Sequence, residues 1–150
     1  MKKLLLALFG ICCGASLFAA TGSTTPQGWY DDFAAAQDAS AKTGRPILAL
    51  FTGSDWCPYC VKLKKNFLDK AAFKTFAAGN VVLFFADFPR RAKLPEKLKK
   101  QNSELAKKYG IEGFPTTVVI SPKGKEMGRV VGCPKYYLDG VTTIVKTVAK

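Results

Sequence analysis

The sequence predicts an α/β protein: a central mixed sheet of about four to five strands with helices on both faces. Three observations carry that expectation. Short continuous apolar runs at 47–51, 81–86 and 116–120 have the length of strands buried on both faces, as a sheet between helix layers requires. These runs alternate with segments whose apolar residues recur at helical spacing, the pattern of a layered α/β domain. A turn sequence, Pro122-Lys123-Gly124-Lys125, joins the third run to residues 126–131, so one edge of the sheet returns antiparallel.

The elements follow in chain order. Residues 1–22 read as an N-terminal signal peptide that is expected to be cleaved. Met1-Lys2-Lys3 is a basic start, residues 4–18 are almost wholly apolar, and small residues follow at Ala19, Ala20 and Gly22. The apolar stretch is shorter than the roughly 20 residues of a spanning helix, which makes an uncleaved membrane anchor the alternative rather than the first reading. An exported, periplasmic protein is implied. Cys12 follows Ile11 rather than the small residue that a lipid-modified start requires. Residues 23–28 form a polar linker, and residues 29–150 form one domain long enough to bury a core.

Within that domain, 29–43 is expected to be a helix. Asp31 and Asp32 suit its first turn, Phe33 and Ala36 repeat at helical spacing, Gly44 ends it and Pro46 opens the first strand. A second helix runs from Cys57 to about Leu68. Asp69 starts a further helical stretch carrying Phe73 and Phe76, stopped by Gly79-Asn80. Residues 88–94 are a basic loop, and 95–109 a charged amphipathic helix ended by Gly110. Pro134 begins the last helix, with Tyr137, Val141, Ile144 and Val148 on one face. Phe33, Phe67, Phe73, Phe76, Phe84 and Phe85 are expected in the core.

Composition narrows the chemistry. The formal net charge is +12, but the lysines are scattered rather than interleaved with aromatics, so no nucleic-acid partner is expected. The basic 88–109 stretch is read first as a solvated face and second as a partner-recognition surface. The chain has no histidine, which removes histidine acids, bases and metal ligands. Cys57 and Cys60 supply half a zinc site with no second pair, so no metal is expected. Beyond the leader only Cys57, Cys60 and Cys133 remain, too few for a disulfide-stapled scaffold.

The motif Trp56-Cys57-Pro58-Tyr59-Cys60 sits between a strand and a helix. With Cys57 at the N-cap and Pro58 at the first helical position, the Cys57 sulfur faces unpaired amides and the positive end of the helix dipole. An ordinary thiol has a pKa of about 8.5, and helix N-termini lower it by one to several units. Cys60, one turn on and less reachable, can close a small disulfide ring with Cys57. The pair can therefore take a disulfide from another protein or give one, and spacing alone does not set the direction. A second signal is Gly113-Phe114-Pro115-Thr116. A cis bond there would expose the Phe114 backbone beside Cys57 for an extended substrate to pair with. A plain strand-start proline is the alternative.

Taken together, Asp55 to Cys60, Lys108-Tyr109-Gly110-Ile111, Gly113 to Thr116 and Val131-Gly132 resemble the thioredoxin superfamily, from about Trp29 to the C-terminus. Residues 51–57, with Asp87-Phe88-Pro89, are similar to exported bacterial thioredoxin-like proteins of the Dsb kind. The resemblance implies a thioredoxin-like fold and a protein disulfide reductase or isomerase, with Cys57 as nucleophile and Cys60 as resolving thiol. Trp56, Pro58, Tyr59, Phe114, Pro115, Val131 and Gly132 would border the substrate groove, with Pro115 cis. No cofactor is implied beyond the Cys57–Cys60 couple. The partners would be proteins bearing disulfides or thiols and a redox protein, in the membrane or outside it, that gives or takes electrons. A monomer is expected. The alternatives are a net disulfide donor, or a non-enzymatic thiol module that delivers a soft metal or assists assembly.

Three features depart from the family pattern. Phe51 stands where cytosolic thioredoxins keep a buried aspartate, leaving Asp87 or Asp55 as candidate substitutes, each read first as a strand-end or surface carboxylate. Pro58-Tyr59 is the dipeptide of glutaredoxins. The 88–109 stretch is longer and more basic than in a minimal thioredoxin. Cys133 is the odd thiol, read first as a small, partly buried side chain.

Overall fold

The structure is a computed structural model that describes residues 25–148. The expected leader 1–22, with Cys12 and Cys13, lies outside the described residues. Four strands, β1 (Ile47–Thr52), β2 (Val82–Asp87), β3 (Thr116–Ile120) and β4 (Glu126–Val131), form one mixed sheet in the order β2-β1-β3-β4. β1 runs parallel to β2 with Ile47 opposite Val82. β3 is antiparallel to β1 with Phe51 opposite Thr116, and β4 is antiparallel to β3. All residues of β1 and β3 are buried, as the central position of these strands between helix layers requires.

The period of two in β1 divides the core between the two faces. Ile47, Ala49 and Phe51 point into one cluster with Phe33 and Ala36 of α1 (Phe33–Thr43) and Leu105 of α4 (Glu96–Lys108). Leu48 and Leu50 point into the other. It is filled by Leu63 of α2 (Pro58–Leu63), Phe73 and Ala77 of α3 (Ala71–Asn80), and Tyr137, Val141 and Val145 of α5 (Tyr137–Val148).

Several boundaries differ from the sequence expectation. α1 starts at Phe33, because Asp32 is its N-cap: the carboxylate accepts from the amides of Ala34 and Ala35. Trp29 is thus outside the helix. Its ring lies 6.3 Å from that of Phe73 and 5.8 Å from that of Phe85. Tyr30 then makes a single parallel bridge to Phe84 at the β2 edge.

The expected 57–68 helix is α2 followed by a π-helical turn, Lys64–Leu68. Asp69 donates its amide to the Lys64 carbonyl at 3.0 Å, and its carboxylate pairs with the Lys64 ammonium at 2.7 Å. Asp69 therefore closes this turn rather than opening α3. Phe67 and Phe76 are half-buried at the rim of the second cluster rather than inside it. α5 begins at Tyr137, three residues after Pro134. The Tyr137 ring is fully buried, its hydroxyl 2.9 Å from that of Thr117, and burial holds that phenol well above its ordinary pKa.

Candidate active site

β1 delivers the chain to a turn, Gly53 to Trp56, that ends where α2 begins. The Cys57 amide donates to the Gly53 carbonyl at 2.9 Å, and Cys57 occupies the N-cap with φ −88° and ψ 113°. Pro58 follows as the first helical residue, where the missing N–H costs nothing. The Cys60 amide donates to Cys57 Sγ at 3.3 Å. The two sulfurs lie at disulfide distance, with Cα atoms 5.2 Å apart. Exposure does not separate them, since each residue is 4% exposed. Their surroundings do. Cys57 Sγ lies 3.6 Å from the Phe114 carbonyl oxygen, whereas Cys60 Sγ accepts from the Gly53 amide at 3.5 Å and borders a cavity of about 850 Å³ with Trp29, Leu50 and Phe73.

The peptide bond between Phe114 and Pro115 is cis. The Gly132 amide donates to the Pro115 carbonyl at 2.7 Å, which fixes the 131–132 loop beside this bend. Trp56, Cys57, Phe114, Pro115 and Gly132 are therefore brought together by direct contacts. Pro58 and Tyr59 lie on the outer side of the first turn of α2. Tyr59 is 63% exposed, and Val131 projects from the end of β4 at 65%. Neither side chain has a hydrogen bond or ring contact to the Phe114 bend among the described residues, though Val131 lies opposite Thr116, the residue after Pro115.

Ser54, Asp55 and Trp56 are each tied to the last residue of β2 or to the segment after it. The Ser54 amide and hydroxyl donate to the Asp87 carboxylate at 3.0 and 2.6 Å. The Asp55 carboxylate accepts from the amides of Arg90, Arg91 and Ala92 at 3.0, 2.8 and 2.9 Å. These bonds, the Arg90 amide foremost, hold the Asp55 carboxyl below its ordinary range. The Trp56 indole donates to the Phe88 carbonyl at 2.8 Å, meets Phe114 edge-on at 6.1 Å, and carries the Arg90 guanidinium 3.7 Å above its ring. Phe88 stacks on Phe114 at 4.8 Å. Gly53 is needed beneath Trp56, because a Cβ there would lie 2.5 Å from the indole.

Phe51 is fully buried, its ring 6.5 Å from Tyr109, so no carboxylate occupies that place. Asp87 sits at the end of β2 and Asp55 at the surface, each with its oxygens engaged by backbone or hydroxyl donors. Cys133 is half-buried against the second core cluster and unpaired among the described residues. Also among the described residues, no three His, Cys, Asp or Glu side chains gather as a metal site, and no helix is long and apolar enough to cross a membrane. Gly53, Asp55 and Phe88 lie in the segments that carry the family resemblance, 51–57 and Asp87-Phe88-Pro89, but the Asp55 clamp and the Arg90 stacking were not identified from the sequence.

Comparison with known proteins agrees with this geometry. The thioredoxin-like domain family matches residues 33–136. The disulfide bond reductase DsbH of Chlamydia pneumoniae is 36% identical over 101 residues, covering 67% of this chain and 61% of that protein. The chain thus spans less than two thirds of that relative's length. A solved DsbH oxidoreductase superposes with a TM-score of 0.72 at 32% identity, covering 84% of this chain and 92% of the other. A thioredoxin from Thermus thermophilus, at 22% identity and a TM-score of 0.61, covers 79% of this chain and 85% of its own and shares the fold.

Proposed function

The chain belongs to the thioredoxin-like domain family, and on that premise we propose that it is an exported protein thiol–disulfide oxidoreductase working as a disulfide reductase or isomerase. One observation carries the reading: two sulfurs at disulfide distance across a helix mouth, one of them 3.6 Å from the Phe114 carbonyl oxygen. Unpaired amides and the helix dipole favour the Cys57 thiolate. That thiolate attacks one sulfur of a substrate disulfide. A Cys57–substrate bond forms, and the other substrate sulfur leaves as a thiolate and takes a proton from water. Cys60, after losing its proton, attacks Cys57 Sγ. The Cys57–Cys60 bond forms and the second substrate thiol departs. The substrate has then gained two electrons from the cysteine pair, and its two thiols carry one proton from water and one released by Cys60.

A redox protein with a reduced dithiol must restore the pair for turnover, and substrate proteins with accessible disulfides are the partners. In an isomerase cycle the substrate's own thiol attacks the mixed disulfide instead. The backbone at Phe114 offers an edge to an extended substrate, and the exposed Tyr59 and Val131 side chains flank the approach. With Phe51 in place of a buried acid, the Cys60 proton leaves without a carboxylate at that position. The reductase direction is supported by the likeness to a protein called a disulfide bond reductase. Export is supported by the pattern of residues 1–22.

Cys60→Ser protein exposed to exported proteins should accumulate mixed disulfides through Cys57, and Cys57→Ser should accumulate none. Absence of trapped species, with no disulfide reduction by the wild type, overturns the proposal. Equilibration against a dithiol buffer reads the direction. A potential near the roughly −270 mV of a reductant fits the proposal, and one near −120 mV marks a disulfide donor instead.

A further inference from the structure

We propose that the Arg90 guanidinium, stacked on Trp56, reads an aspartate or glutamate next to the disulfide of the substrate protein. This rests on the oxidoreductase reading above and names the class of substrate it prefers. The backbone of the 88–92 loop is held in place: the Asp55 carboxylate ties down three successive amides, and the Trp56 indole bonds the Phe88 carbonyl. The Arg90 side chain is therefore carried on a fixed stem. Its guanidinium lies 3.7 Å from the Trp56 ring centroid. Trp56 in turn touches Phe114, whose carbonyl faces Cys57 Sγ. Arg90 is thus linked to the reactive sulfur through two packed side chains.

The guanidinium is also unspent. It takes part in none of the four ion pairs formed among the described residues, and in no side-chain hydrogen bond there. The carboxylates around it are engaged elsewhere: Asp55 by the loop amides, Asp87 by the Ser54 amide and hydroxyl, and Glu96 by the Lys99 ammonium. Residues 88–95 contain Arg90, Arg91 and Lys93 and no acidic side chain. Stacking occupies one face of the planar guanidinium and leaves its N–H edge free. That edge matches a carboxylate in a bidentate pair, which a lysine cannot make. An acidic side chain flanking the substrate cysteine meets those requirements.

The test uses three peptides with the same disulfide, flanked by glutamate, glutamine or lysine, and the reduced full chain. The wild type should reduce the glutamate peptide about two- to five-fold more efficiently than the glutamine peptide. The difference should lie in KM and shrink at high salt. Arg90→Ala should bring the ratio to about one, Arg90→Lys should keep only part of it, and Arg90→Glu should favour the lysine peptide. A second readout follows the Trp56 indole resonance of the oxidised protein as peptides with serine in place of cysteine are added. The wild type should respond more to the glutamate form, and Arg90→Ala should not. Equal reduction and equal binding of the glutamate and glutamine peptides, or an undiminished preference in Arg90→Ala, overturns the inference and leaves the oxidoreductase reading standing. Preferential glutamate binding with no reduction of any peptide does the opposite.

Discussion

Gly53→Ala places a methyl group inside the space of the Trp56 indole. The added carbon would lie 2.5 Å from Trp56 Cε2 and Nε1 and 2.8 Å from Cζ2. The Gly53 backbone has no left-handed φ, so alanine is acceptable to the chain itself and the collision decides the outcome. Trp56 cannot shift slightly, because it is held by the Phe88 carbonyl, the Arg90 guanidinium and the Phe114 edge. Swinging it out forfeits a hydrogen bond of about 1 kcal/mol, a cation–π contact of about 0.5–1 and an aromatic edge contact of about 0.5–1. Restriction of the unfolded chain by alanine returns about 0.5 kcal/mol. The net loss is about 2 kcal/mol. Urea unfolding of the oxidised protein measures it, with the Trp56 indole resonance as a local probe. A loss under about 0.5 kcal/mol with that resonance unmoved would refute the packing argument. Displacement of the indole without loss of stability would refute the ledger.

Two further outcomes follow from the same contacts. Tyr137→Phe leaves the buried Thr117 hydroxyl without its 2.9 Å partner and should cost about 1–2 kcal/mol in urea unfolding, with the fold retained. The Asp55 clamp should be acid-resistant. Its carboxyl is depressed in the folded state, so its contribution is present above the unfolded value of about 3.9 and lost only as pH falls through the lower folded value. The amide resonances of Arg90, Arg91 and Ala92 should hold at pH 4 and move only below it; movement in step with an ordinary carboxylate would contradict the clamp.

The parts of the fold that were legible in the sequence are those governed by burial alone. β3 and β4 fall at 116–120 and 126–131 as their apolar runs and turn predict, and the Cys57 cap with Pro58 behind it follows from local chemistry. Helix ends were less legible where a side chain chose between roles. Asp32 could sit inside the first turn or cap it, and only the cap leaves Trp29 free to reach Phe73 and Phe85. The π-helical turn was invisible because one extra residue per turn barely alters the spacing of Leu63, Phe67 and Leu68 over so short a run. At the site, the thiol pair is legible as a local motif, whereas the Phe114–Pro115 bend, 57 positions on, and the Gly132 loop are placed beside it in the sequence only by the family resemblance. The contact of Asp55 and Trp56 with Arg90 was not legible, since no motif links them to a residue about 35 positions on. No local pattern records which loop an aspartate will hold.

The most direct measurement is the rate at which the reduced chain carrying Cys12→Ser, Cys13→Ser, Cys60→Ser and Cys133→Ser is alkylated across a range of pH, which isolates the sulfur at position 57. The expected midpoint lies clearly below the roughly 8.5 of an ordinary cysteine, as a thiol at a helix mouth should show. A midpoint at or above that value would contradict it.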